Sequence, residues 1–202
     1  MPDPPQTDFV TRYIFENPWP GVIVLLIVAI AFGYTGLQRG EMGKVRIAGV
    51  GLLLGIVLYV TSALITTPGE HARAVTRSFV SAVVQSDMTT AFGLLSPNAA
   101  MAFGAPSNPG MDVNFLQSQL MQLQGAYRID QNTITQLNAY TDGPNRGIVH
   151  LGCLTTLEAG WGGPNRSRWV LAIEQQPDDT WKITRITAVE INGRTPDLSI
   201  FR

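Results

Sequence analysis

Two apolar runs near the N-terminus, residues 21–37 and 45–65, constrain this chain more than any other feature. A helix needs about 20 mostly apolar residues to cross the hydrocarbon core of a bilayer, with about 17 as the lower limit. The second run reaches that length with one charge, Arg46, near its start, and the first carries none. Trp19 and Tyr34 lie near the ends of the first run, where aromatic rings favour the headgroup region. Pro18 and Pro20 suit a helix start, because a proline in the first turn forfeits no helical hydrogen bond. A buried helix of a soluble protein could account for one such run, but two in tandem point to a membrane hairpin. The expected layout is a tail over residues 1–18, a span over 19–37, a connector over 38–44 and a second span over 45–66.

Ala29, Ile30 and Ala31 resemble a signal-peptide cleavage site, but a signal peptide wants a positive leading segment. The leading segment here carries Asp3, Asp8 and Glu16 against Arg12, so the first run reads as a retained span. Short cytoplasmic loops are enriched in Lys and Arg. Arg39, Lys44 and Arg46 therefore place the connector in the cytoplasm. The tail and the C-terminal domain are then expected outside, in a multi-pass protein of the cytoplasmic membrane with the lipid bilayer as its first partner. Gly51 and Gly55 in the second span, and Ala29 and Gly33 in the first, are small residues four apart. That spacing lets helix backbones approach closely. It fits either packing of the two spans on each other or a face for a second copy of the chain. Neither span has an internal ionisable group, which argues against an ion or proton pathway.

Residues 69–194 form one domain of ordinary size, followed by a short tail over 195–202. The chain has 14 Lys and Arg against 15 Asp and Glu, with no basic stripe, so nucleic acid is not indicated as a partner. Cys153 is the only cysteine, which rules out an internal disulfide. In its apolar run it reads as an inert core thiol.

Apolar residues at Ala72, Val75, Phe79, Val80, Val83 and Val84 have helical spacing over residues 70–85. Thr67 can cap that helix and Asp87 a short one over 88–95; a further turn follows over 97–103 and a loop over 104–110. Asp112 can cap a third helix over 112–123, with Gly125 ending it. The period then changes to two. Strands are expected over 127–139, 147–158, 167–176 and 181–192, with turns built on Gly, Pro and Asn between them. Short connections force antiparallel neighbours.

Helices followed by an antiparallel sheet make an α+β layer pattern. The order of a long helix, short helices and a four-stranded meander resembles the NTF2-like (cystatin-like α+β cone) superfamily. The stretches carrying the resemblance are Ala72 to Pro97, with Phe79-Val80 and Ala91-Phe92-Gly93-Leu94-Leu95-Ser96-Pro97, and Trp181-Lys182-Ile183-Thr184. The resemblance implies helices packed on a curved sheet, with a ligand cavity between them. Membrane-attached members include assembly proteins of type IV secretion systems. Tyr127, Asp130, His150, Glu158 and Glu174 are the polar residues expected to reach such a cavity, with Tyr127, His150 and Glu174 as the leading ligand contacts.

Members similar to ketosteroid isomerase need a carboxylate base and a proton donor in an apolar pocket. No such set matches here residue by residue, so no catalytic residue is assigned. His150 alternates with Val149 and Leu151 and is more simply a satisfied structural group than a base. Two distant histidines and one cysteine make no metal site, and no dinucleotide or phosphate fingerprint calls for a cofactor. Trp161, among glycines, could present an aromatic ring to a partner. The expectation is a non-enzymatic, membrane-anchored interaction or scaffold module that engages a membrane protein or a second copy of itself. The alternative is a small-molecule binder or weak enzyme using the cone cavity.

Overall fold

A computed structural model describes residues 18–64, 66–123, 127–158 and 163–197 of the chain. It divides into two units, with the boundary between Thr67 and Pro68.

The first unit is a helical hairpin. Helix α1 spans Trp19–Arg39 and begins directly after Pro18, with Pro20 in its first turn. Gly40 ends it in the left-handed region at φ 66°, which costs glycine no Cβ clash. The carbonyl of Gly36 accepts from the amides of both Gly40 and Glu41, a bond pattern that closes a helix C-terminus. Helix α2 follows at once, over Met42–Leu64. The connector is therefore shorter than expected. Gln38, Arg39 and Lys44 are good helix formers, and hydropathy marks the bilayer rather than the helix ends.

The two helices pack antiparallel along a stripe of small residues. A Cβ added at Gly33 would meet Ala48 Cβ at 3.5 Å, and one at Gly51 would meet Ala29 Cβ at 3.7 Å. One at Gly55 would meet Leu25 Cβ at 3.7 Å. Ala29, Gly33, Gly51 and Gly55 thus lie between α1 and α2. The large apolar side chains face away, with Ile30 62% and Leu53 63% exposed. Both helices are long and apolar enough to cross a membrane, and only 11% of each span is buried.

The second unit begins with helix α3, Pro68–Val84. Helix α4, Met88–Gly93, is capped by Asp87, whose carboxylate accepts from the Thr90 amide at 3.1 Å. Strand β1, Leu95–Phe103, and helix α5, Val113–Gln122, come next. Asp112 caps α5 by accepting from the Phe115 amide at 2.9 Å. Strands β2 Ile129–Thr141, β3 Arg146–Leu157, β4 Asn165–Gln175 and β5 Trp181–Ile191 complete the unit. Gly125, expected to end α5, lies outside the described residues.

The sheet has five strands rather than four, in the order β1-β5-β4-β3-β2. Strands β2 to β5 are the expected antiparallel meander, and β1 adds to the edge parallel to β5. The sequence hid β1 for a physical reason. Its pairing runs from Leu95 opposite Ile183 to Ala100 opposite Arg185, so Pro97 and Asn98 sit in a bulge. Proline is confined to edges and bulges of sheets, and the alanines that carry the pairing are poor strand formers. Register shifts twice between β2 and β3 and twice between β4 and β5. Bulges of this kind bend and twist strands.

Helix α3 lies across the inner face of the sheet. Its most buried residues are Gly69, Ala72, Thr76, Phe79 and Ala82; Ala72 and Phe79 belong to the apolar stripe read from the sequence, and Val75, Val80 and Val83 of that stripe are partly buried. The approach is closest at the helix start. A Cβ built at Gly147 would fall 2.5 Å from Ala72 Cβ and 2.6 Å from the Pro68 carbonyl oxygen. His71 stacks on Trp181 nearby, with ring centroids 4.8 Å apart and planes 8° from parallel.

Gly147→Ala should therefore destabilise the unit by roughly 1–3 kcal/mol, the usual cost of overpacking. Gly93→Ala, where an added Cβ meets nothing within 4 Å, should be neutral or slightly stabilising. Thermal unfolding of the two variants in lipid nanodiscs, followed by tryptophan fluorescence, checks this. Thr187→Val should raise stability, because Thr187 Oγ1 is buried with no hydrogen-bond partner. An orphaned hydroxyl costs about 1–3 kcal/mol, and the same melting measurement reads its removal.

Candidate functional site

The strand period of two puts one row of each strand on the inner face. On β3 that row is Leu151, Cys153, Thr155 and Leu157; on β4 it is Asn165, Ser167, Trp169 and Leu171. These residues, with Phe79, Val80, Val83 and Val84 of α3 and Leu116, Leu120 and Leu123 beside or within α5, enclose a cavity of about 470 Å³. That volume falls within the range of small-molecule sites, about 300–1,000 Å³. Val80, Val83 and Val84 of α3 are only partly buried and border this space.

The cavity is layered. Leu171, Leu151, Ile186 and Met101 make an apolar layer. A polar band follows along β2, β3 and β4. Cys153 pairs with Ser167 and Thr155 pairs with Asn165 across β3 and β4, while Asn132 of β2 lies opposite Thr155. Thr155 donates its hydroxyl to Asn132 Oδ1 at 2.8 Å, and Trp169 donates Nε1–H to Ser167 Oγ at 2.8 Å. Asn165 Oδ1 accepts from Asn192 Nδ2 at 2.7 Å. Beyond the band, Ile129 and Leu157 return the wall to apolar character, and Ile191 flanks Ser167 on β5. Gln119 and Gln122 add neutral amides from α5.

Among the described residues that line it there is no Asp, Glu, His, Lys or Arg. Cys153 is buried, and burial pushes its thiol above the ordinary range, against a smaller opposing effect of its hydrogen bond with Asn132. It is therefore held as the neutral thiol, which is a poor nucleophile. No group of three or more His, Cys, Asp or Glu among the described residues could hold a metal ion.

Solved structures share the fold of this unit. A protein with a cystatin-like fold from Caulobacter vibrioides, described as uncharacterised, superposes with a TM-score of 0.51 at 10% identity, covering 66% of this chain and 94% of its own. A candidate dehydratase of the NTF2-like family from Streptomyces avermitilis superposes with a TM-score of 0.50 at 15% identity, covering 59% of this chain and 93% of its own. The α+β unit has an NTF2-like fold. No family model and no curated protein matches the sequence.

The NTF2-like unit separates the residues that the sequence suggested would converge. Tyr127 lines the cavity, partly exposed, just before β2. His150 and Glu174 do not line it. They occupy the alternate positions of β3 and β4, so strand parity puts them on the opposite face of the sheet. Glu174 instead pairs with Arg146 across the strands at 3.4 Å. Asp130 is exposed, and Glu158 is exposed and pairs with Arg128 at 3.3 Å. Trp161 lies outside the described residues. His150 is 4% exposed and meets the Tyr140 ring edge-on, with centroids 5.3 Å apart.

Sequence reading missed Asn132, Thr155, Asn165, Ser167 and Trp169 as a group. The usable signal was their parity: each polar residue of the band on β3 and β4 falls on the same row as an apolar core residue.

Burial lowers the His150 pKa below its ordinary value. The unfolded chain therefore binds this proton more readily than the folded one. The folded protein should lose stability as pH falls through about 6.5, the ordinary histidine value, and stay level with respect to this group above it. His150→Phe keeps a ring against Tyr140 and removes the titration. Between about pH 7 and about pH 5 its melting temperature should fall less than that of the parent chain.

Proposed function

We propose that this chain is a membrane-anchored, non-catalytic binding protein that holds a largely apolar small molecule in the cavity of its NTF2-like unit. One observation carries the reading: a cavity of about 470 Å³ whose described lining is mostly apolar side chains with a few neutral polar groups on the strands and on α5. Ligand sites of this size are typically apolar with a few placed polar groups that fix orientation.

The solved neighbours include a candidate dehydratase and an uncharacterised protein. Acid–base chemistry on such a frame needs titratable groups whose environments push their pKa values apart. Here the inward positions hold Asn132, Thr155 and Ser167 instead, and the one thiol is kept protonated. The missing catalytic set, which from sequence alone favoured a scaffold, is equally what a binding cavity requires.

The anchoring part rests on α1 and α2. A core helix of a soluble protein hides its apolar side chains, whereas in each of these two spans only 11% is buried. Helices that are apolar all round are matched by lipid. The intact chain should stay with the membrane pellet through alkaline carbonate washing, and release into the supernatant would remove the anchor from the proposal.

For the cavity, the full chain purified in lipid nanodiscs should bind an environment-sensitive apolar fluorophore. The double variant Val83→Phe with Leu120→Phe fills the space from two helices and should weaken that binding tenfold or more while leaving the melting transition cooperative. Equal binding by the filled variant would show that the fluorophore sits elsewhere and would overturn the cavity reading.

A further inference from the structure

The lining says more about the occupant than its greasiness. We infer, resting on the binding reading above, that the cavity takes an uncharged amphiphile, with a hydrocarbon body and a hydroxyl or carbonyl head, and excludes the matching carboxylate. The juxtaposition behind this is a band of hydrogen-bonding groups with no counter-ion. Asn132, Thr155 and Asn165 form one row across the sheet, Ser167 and Cys153 form the next row on the same face, and no described lining residue carries charge.

The band can both donate and accept. Ser167 Oγ receives the Trp169 indole proton and has its own hydroxyl proton to give. Thr155 gives its proton to Asn132 and has oxygen lone pairs left to accept with. Asn132 has its amide protons, one of them toward the Cys153 sulfur. A ligand hydroxyl is complementary to such a set because it too donates and accepts. A carboxylate only accepts, and moving it from water into this part-buried band without a paired cation carries a desolvation cost. The apolar layer of Leu171, Leu151, Ile186 and Met101 then receives the hydrocarbon body. An engineered cavity of about 150 Å³ holds benzene. The space here is roughly three times that, enough for an occupant on the order of eighteen heavy atoms.

The test uses a matched pair differing only at the head. The full chain in lipid nanodiscs is titrated with decanol and with decanoate at about pH 8, where the acid is ionised. Affinities are referred to the measured free aqueous concentrations. Two independent signals are read: the change in tryptophan fluorescence that disappears in Trp169→Phe, and slowing of alkylation of Cys153, the only thiol in the chain. Decanol should bind at least tenfold more tightly than decanoate. The double variant Asn132→Leu with Thr155→Val removes both partners of one hydrogen bond together, so neither is orphaned. It should weaken decanol at least fivefold and leave decanoate unchanged. Decanoate binding as tightly as decanol would overturn the inference while leaving the binding reading intact. Neither compound binding, with no apolar fluorophore bound either, would overturn both.

Discussion

The architecture of the NTF2-like unit depends on how α3 lies on the sheet. At its start the helix carries Gly69, Ala72 and Thr76, and it meets the sheet at Gly147, where there is no room for one more carbon. Toward its end it carries Phe79, Val80, Val83 and Val84, and these face open space rather than backbone. Small residues at one end and large ones at the other make a wedge. The close contact fixes the helix, and the cavity is what the same geometry leaves at the far end. A larger residue near Ala72 or Gly147 would therefore disturb the cavity as well as the contact, since both hang on one helix.

Much of this was legible in the sequence, and the parts that were not share a cause. The period of two announced β2 to β5, and Asp87 and Asp112 announced the helix starts that they cap. Strand β1 was not announced, because Pro97 and Asn98 are turn residues everywhere except in a bulge. The split of the α3 face into a packed row and a cavity-lining row was hidden too. Spacing says which residues share a face; it does not say whether the volume in front of that face is filled. His150 and Glu174 are a different case. Their parity was readable, and it already set them opposite Val149, Leu151 and Ile173, the rows that became the inner wall.

The hairpin divides its residues by size in the same way. Ala29, Gly33, Ala48, Gly51 and Gly55 are spent on the contact between α1 and α2. Small residues at these positions let the two backbones approach closely. What is left outward is isoleucine, leucine and valine, which suits a surround of acyl chains. The small-residue stripe therefore has an occupant within the chain.

An NTF2-like frame gives each inner strand position an equal chance of presenting a catalytic group, and what the frame does is set by which side chains occupy the few polar positions. In this chain the level of the sheet that could hold an acid and a base holds two asparagines, a threonine and a serine, already bonded to one another or to the Trp169 indole and Asn192. Such bonds fix the rotamers before any ligand arrives, which lowers the ordering cost of binding. Among the described lining residues Cys153 is the thiol, and burial pushes its pKa up. A site with fixed neutral dipoles in a low-dielectric space discriminates by hydrogen-bond complementarity and by the absence of charge.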